Sequence, residues 1–338
     1  MDTVIPPQTV LGSTLASVPK NDVSQRNPGQ NFNPQWFAGL RVNRSAVERR
    51  CIGLSTRRTV KKDRQAAWLL KAISLMDLTT LSGDDTAARV QRLCAKARQP
   101  ISHVLLQSLG MQDVSLNTAA VCVYHEMLAS AAAALQGTEI HLAAVSTGFP
   151  AGLSPMSLRV KEIEYSVAAG ADEIDIVISR RHVLNGDWQA LYDEVRVFRA
   201  ACGEAHLKTI LATGELGTLS NIAKASMVCM MAGADFIKTS TGKESVNATL
   251  SVSLVMVRMI RQYFETTGFQ VGFKPAGGIS DSKTALVYLS LIREELGLRW
   301  LQPDLFRFGA SSLLGDIERQ LDHYCSGYYS AAYRHSMG

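Results

Sequence analysis

Residues 206–243 read HLKTILATGELGTLSNIAKASMVCMMAGADFIKTSTGK. Leu207–Ala212 is a short apolar and β-branched run, residues 219–232 have helical period, and Phe236–Thr239 returns to strand character. Strand, helix, strand in that order is one βαβ unit with parallel strands. The same rhythm extends in both directions. Upstream strands are predicted at Leu75–Leu78, Ala120–Tyr124, His141–Thr147 and Glu173–Ile178; Val271–Pro275 and Leu305–Phe308 follow downstream. Helices are predicted at 84–97, 126–136, 155–169, 187–203, 219–232, 245–265, 281–296 and 312–324. The second to fifth strands do not alternate apolar with polar, as in strands covered on both faces. Eight strands, each followed by a helix over ~250 residues, make an α/β fold of the TIM (β/α)8 barrel type. An open doubly wound sheet would share the rhythm, but no Gly-x-Gly-x-x-Gly turn follows the first strand.

The flanks read differently. Residues 1–40 are rich in Pro, Asn, Gln and Ser, the composition of an extension without fixed structure. Residues 41–72 hold ten Lys and Arg (41, 44, 49, 50, 57, 58, 61, 62, 64, 71) against Glu48 and Asp63, a net +8 in a chain of net +5. They are predicted to form a basic helical segment docked on the barrel through Trp68, Leu69, Leu70 and Ile73. The barrel itself spans 73–325, and 326–338 reads as a flexible tail.

With 46% apolar and 19% charged residues the chain is neither disordered nor fibrous. No run approaches the ~18 apolar residues of a membrane helix. Six scattered cysteines without a Cys-x-x-Cys pair read as reduced thiols, and the start MDTVIPPQTV lacks a basic n-region. A cytoplasmic protein is expected, with nuclear access left open. The basic segment is read as a solvated face, so no nucleic-acid partner is expected; binding through it as the sole function is the reading from a different class, and would be salt-sensitive.

In such barrels the chemistry sits where strands end. The first strand carries Asp77, followed by Thr79, and the fourth carries Asp175. The sixth carries Lys238 and the seventh Lys274. A charge on a buried strand is costly unless paired. Two lysines on adjacent strands, about 5 Å apart, repel unless one gives up its proton. A neutral buried amine is what a Schiff-base nucleophile requires. Glycine- and hydroxyl-rich segments follow the last three strands, at Thr239–Lys243, Ala276–Gly278 and Gly309–Ser312. Beside a helix start they suit a phosphate. Asp172 and Glu173 read as solvated residues where the fourth strand begins, and Cys122 as an inert buried thiol. No His-x-His, His-x-x-x-His or Gly-x-Ser-x-Gly pattern supports a metal site or a serine triad.

FIKTSTGK (236–243), VGFKPAGG (271–278), DEIDIVI (172–178), MDLTTL (76–81) and FGASSLL (308–314) resemble the deoxyribose-phosphate aldolase family over about residues 45–325, in its animal branch. The resemblance implies a class I aldolase without metal or cofactor, acting on a sugar phosphate, reversibly splitting 2-deoxy-D-ribose 5-phosphate into acetaldehyde and D-glyceraldehyde 3-phosphate. It implies Lys238 as the Schiff-base residue, Lys274 as the lysine that tunes it, and Asp175 as the proton carrier acting through a water. Asp77 and Thr79 fall to the supporting network around the substrate. Gly242, Lys243, Gly277, Gly278, Ser311 and Ser312 fall at phosphate-facing positions. A homo-oligomer is compatible with it, and another Schiff-base barrel of the transaldolase kind is the neighbouring alternative. Three features depart from the family pattern: His125 where Pro is usual, Ser280 where Arg is usual, and a terminus in Ser-Met-Gly.

Overall fold

The computed structural model describes residues 26–56 and 60–335. Two helices, α1 (Arg44–Ser55) and α2 (Lys62–Ser74), precede β1 (Met76–Thr79). Then come α3 (Ala87–Arg98), α4 (His103–Ser108), β2 (Ala120–Tyr124), α5 (Leu128–Leu135), β3 (His141–Ser146) and α6 (Met156–Ala168). The middle of the chain supplies β4 (Glu173–Val177), α7 (Arg180–Leu184), α8 (Trp188–Cys202), β5 (His206–Ile210) and α9 (Leu219–Met231). It closes with β6 (Phe236–Lys238), α10 (Leu250–Thr267), β7 (Gly272–Lys274), α11 (Ser282–Glu295), β8 (Phe308–Ala310) and α12 (Leu313–Ser326).

All eight strands are parallel, in the order β7-β6-β5-β4-β3-β2-β1-β8. Parallel bridges from Phe273 to Phe306 and from Ala276 to Gly309 join the two edges into a barrel. Every residue of β4 is buried, as a strand covered on both faces must be. The helices start where side-chain oxygens satisfy free amides: Thr86 for α3, Thr218 for α9, Thr249 for α10 and Asp281 for α11. On α12, Leu313, Leu314, Ile317 and Leu321 face inward at helical spacing.

Several boundaries differ from expectation. The eighth strand pairs with β1 through Phe308–Ala310, and only Phe306 of the predicted Leu305–Phe308 bridges β7. Gly and Ala have weak strand preference, yet smallness is what Gly309 supplies: a Cβ there would lie 2.8 Å from that of Ala276 and 3.2 Å from Lys274 Cε. The short α4 and α7 lack a long period and were not predicted. Helix α10 begins at Leu250 rather than 245, because the Ala248 amide is bonded to Ala276 O, tying this stretch to the β7 loop. Ser280 does not disturb α11, whose cap is Asp281.

The extension predicted for residues 1–40 divides. Residues 1–25 lie outside the described residues, but 26–40 are seated on the barrel wall. Asn27 is 1% exposed; its side chain donates to Met230 O (2.8 Å) and Ala234 O (2.9 Å) and accepts from Tyr263 Oη (3.0 Å). Phe37 joins the core, its ring edge-on to Trp188. A few anchors suffice where composition alone suggests none. The basic segment forms α1 and α2, with Arg50 paired to Glu294 (2.6 Å) and Glu295 (3.2 Å) of α11; Arg57 and Arg58 lie outside the described residues. In the stretch expected as a flexible tail, Ser330 is buried with its hydroxyl 2.7 Å from His335, and His335 stands 3.5 Å from Asp322 of α12.

The Asn27 anchor is testable. Asn27→Ala leaves the Met230 and Ala234 carbonyls without their donor, and we expect a loss of about 2–3 kcal/mol in denaturant unfolding. An unchanged midpoint would show that residues 26–40 add nothing to the fold.

Candidate active site

Strand register assembles the centre. In β6 and β7, Lys238 pairs with Lys274, so both side chains leave the same face of adjacent strands; in β4 and β5, Asp175 pairs with Lys208. The Asp175 carboxylate lies among three lysine side-chain nitrogens. Its Oδ2 accepts from Lys238 Nζ at 2.7 Å and Lys274 Nζ at 2.8 Å, and its Oδ1 accepts from Lys208 Nζ at 3.1 Å. Lys274 reaches Asp77 as well, at 2.5 Å.

Beneath this layer Arg307 spans the barrel axis, bonded to Asp77 at 2.6 Å and to Glu173 at 2.8 Å, and Lys208 meets Glu173 at 2.5 Å. Lys208 and Arg307 were missed by the sequence reading, and Glu173 was read wrongly as solvated. Attention to strand ends passes over Glu173, which opens β4; Lys208 is the middle residue of β5, level with Asp175, and the predicted strand start at Leu207 placed it one residue too near the entry. Their signal was available: charged residues inside apolar strand runs. Asp172, the neighbour read the same way, is exposed.

Four groups able to carry positive charge (Lys208, Lys238, Lys274, Arg307) thus share three buried carboxylates (Asp77, Glu173, Asp175). Balance in a dry interior leaves one cation in excess. At an effective dielectric near 20, two like unit charges about 4 Å apart repel by about 4 kcal/mol, so the excess proton is shed where it is held least. Arg307, Lys274 and Lys208 each touch at least two carboxylates. Among the described residues Lys238 has Asp175 alone, through an oxygen it shares with Lys274.

The titration tendencies agree. Burial pushes the Lys238 ammonium below its ordinary value; Asp175 offsets part of this and the Lys274 charge adds to it. Burial acts on Lys274 in the same sense, but Asp175 and Asp77 together outweigh it and hold Lys274 above the normal lysine range. Lys208 is raised likewise against its burial penalty, by Asp175, Glu173 and Asp77. Asp175 stays ionised far below the usual carboxylate range, because its three lysine partners outweigh its burial. One lysine held below its ordinary range beside one held above it is the pairing that favours an amine nucleophile.

The phosphate-facing candidates form a rim at the same mouth. Thr239 Oγ1 accepts from the Ala276 amide at 3.0 Å, joining the β6 and β7 loops, and Ala276 bridges Gly309. Lys243, Gly278, Ser311 and Ser312 are exposed there, and Ser312 precedes α12 without closing its amides by a side-chain bond. Gly277 has φ +80°, and a Cβ would lie 2.7 Å from Asn247. Gly242 differs from expectation: its amide is already taken by Glu244, at 3.2 Å. Thr79 turns its hydroxyl to the Asp77 carbonyl (2.8 Å). Cys122 is buried and its thiol pushed up by burial, which leaves it protonated. His141, Asp172 and Glu173 come within 4.8 Å of one another where β3 and β4 begin, but Glu173 is already committed to Arg307 and Lys208.

Comparison with known proteins gives the same class. The DeoC/LacD family aldolase profile matches residues 71–290. Human deoxyribose-phosphate aldolase is 57% identical over 311 residues, covering 91% of this chain and 98% of its own. The mouse enzyme of that name is 59% identical over 305 residues, covering 90% and 96%. Among solved structures, the deoxyribose phosphate aldolase of Aeropyrum pernix, described as having a unique tetrameric structure, covers 83% of this chain and 99% of its own at 22% identity and TM-score 0.55. The aldolase QR15 covers 75% and 97% at 25% identity and TM-score 0.58. The chain belongs to the DeoC/LacD aldolase family. It is an aldolase on a TIM barrel.

If Lys274 helps to keep Lys238 uncharged, Lys274→Met removes a neighbouring cation and frees Asp175 for Lys238. Both changes raise the Lys238 midpoint. The acid limb of kcat/KM should then move to higher pH by about one unit, with a loss of about 10²-fold or more near neutrality. An acid limb that stays in place would contradict the coupling.

Proposed function

We propose that this aldolase reversibly cleaves 2-deoxy-D-ribose 5-phosphate to D-glyceraldehyde 3-phosphate and acetaldehyde through a Schiff base on Lys238. The single observation that carries the reading is the Asp175 carboxylate shared between Lys238 and Lys274. The names of the mammalian relatives supply the substrate.

The proposed steps are those of a Schiff-base aldolase assigned to the residues of this site. Neutral Lys238 donates one N–H to Asp175 and keeps its lone pair free to attack C1 of the open-chain sugar. Loss of water gives a cationic iminium. The C3 hydroxyl gives its proton to a base, the C2–C3 electron pair moves into the iminium, and glyceraldehyde 3-phosphate leaves. The enamine then takes a proton at C2, and water releases acetaldehyde and the free amine. Asp175, acting through a water, and charged Lys274 serve the two proton transfers, steps that typically contribute about 10²–10⁴-fold. Asp77 holds Lys274 together with Asp175. Lys243, Gly277, Gly278, Ser311 and Ser312 receive the phosphate, so binding at the far end of the sugar aligns C1 with Lys238. A homo-oligomer is part of this reading, supported by exposed apolar side chains on one rim and helix, Leu153, Leu158 and Tyr165.

Borohydride added with deoxyribose 5-phosphate should fix one adduct, located by peptide mass spectrometry on Lys238 and absent in Lys238→Leu. Undiminished adduct in that variant would contradict the assignment. EDTA should leave turnover intact, and a loss restored by zinc would point to metal-dependent cleavage instead.

A further inference from the structure

The loop after β6 already contains an anion of its own. The Glu244 carboxylate accepts from the Thr241 amide at 3.0 and 3.1 Å, from the Thr241 hydroxyl at 2.8 Å and from the Gly242 amide at 3.2 Å. The Lys243 amide donates to Thr241 Oγ1 at 3.0 Å. Each backbone donor from Thr241 to Lys243 therefore has its acceptor within the loop. Successive amides turned toward one point make an anion-binding concavity, the feature that the glycine- and hydroxyl-rich sequence leads one to assign to a phosphate.

Glu244 is held there from behind. Its side chain is 2% exposed, and Arg180 faces it at 3.8 Å. Arg180 is fixed by Glu215 at 2.5 Å and by the Pro150 and Ala151 carbonyls at 3.0 and 2.6 Å, so one guanidinium gathers the loops after β3, β4 and β5 around Glu244. The occupied amides open beside the β7 loop, since a Cβ on Gly242 would point at Gly277 Cα from 4.0 Å.

We infer that Glu244 is a specificity-determining residue for the phosphate end of the substrate, an internal carboxylate that holds the amide concavity when no substrate is bound and opposes the phosphate when it arrives. The inference rests on the reading under Proposed function. Two arrangements of bound phosphate are open to the loop, and both give the same sign. If phosphate takes the Thr241 and Gly242 amides, Glu244 must release them and turn toward Arg180. If phosphate settles on Gly277, Gly278 and the start of α12, it lies next to a buried negative charge. In either arrangement the loop is preformed at the expense of phosphate affinity.

E244Q keeps the volume and one accepting oxygen but removes the charge. We expect the Kd for inorganic phosphate, read by calorimetry, and the KM for deoxyribose 5-phosphate to fall about tenfold. The ratio of kcat/KM for the phosphorylated sugar to that for free 2-deoxyribose should rise accordingly. E244A, which removes the same charge with less volume, should move phosphate affinity in the same direction and serves if E244Q folds poorly. E244D, which retains the charge, should bind phosphate no more tightly than wild type. Phosphate affinity unchanged or weakened in both E244Q and E244A would overturn the inference. Wild-type protein that binds phosphate but does not turn over deoxyribose 5-phosphate would overturn the proposed reaction instead, so the two failures are distinguishable.

Discussion

The site depends on one carboxylate shared by three lysines. Asp175 holds Lys238, Lys274 and Lys208 within hydrogen-bonding distance, and the four cationic groups of this cluster can be matched to its three carboxylates only if one of them gives up its proton. Two lysines on adjacent strands are not sufficient to explain the outcome, because repulsion alone does not say which of them loses its proton. The choice is made by what each one touches besides Asp175. Lys274 has Asp77 and Lys208 has Glu173, while Lys238 has no second carboxylate among the described residues. The lower layer of Arg307, Glu173 and Asp77 is therefore part of the electrostatics of Lys238, the proposed nucleophile, even though it lies further from the mouth.

The barrel makes this arrangement affordable. Parallel pairing places Lys238 beside Lys274 and Asp175 beside Lys208 by register, so little further ordering is needed to bring the side chains together. Gly309 clears the space through which the Lys274 side chain passes, and the β6 and β7 loops are tied by Thr239 just above the lysines. In the proposed reaction the chemistry at C1 belongs to the buried lysine cluster, and the phosphate end to the exposed rim of loops. That separation lets the rim change its contacts, as we infer for Glu244, while the charge balance around Lys238 stays fixed.

Much of this was legible in the sequence, and the reasons differ by residue. Lys238, Lys274, Asp77 and Asp175 stand out because a charge in an apolar strand is rare, and the eight-fold rhythm follows from repeated βα units. Glu173, Lys208 and Arg307 carry the same signal, but Glu173 opens β4 and Arg307 precedes β8, on the deeper side, while Lys208, level with Asp175, was placed near the entry by a predicted strand that starts one residue late. The shift of β8 was hidden because Gly309 and Ala310 are selected for smallness rather than strand propensity. Residues 26–40 misled because docking there rests on a few anchors such as Asn27 and Phe37, which composition averages away. Glu244 was invisible for another reason: a glutamate two positions after a glycine reads as a solvated loop residue until the loop is seen to fold around its carboxylate.

The most direct test of the central claim is the titration of the Lys238 ε-amine itself, followed by NMR of protein labelled at the lysine side chains, with the Lys238 signal assigned from its loss in Lys238→Leu. The account predicts a midpoint for Lys238 clearly below that of exposed lysines, with Lys274 still charged where those lysines have lost their protons. A Lys238 that titrates together with the exposed lysines at ordinary alkaline pH would contradict it.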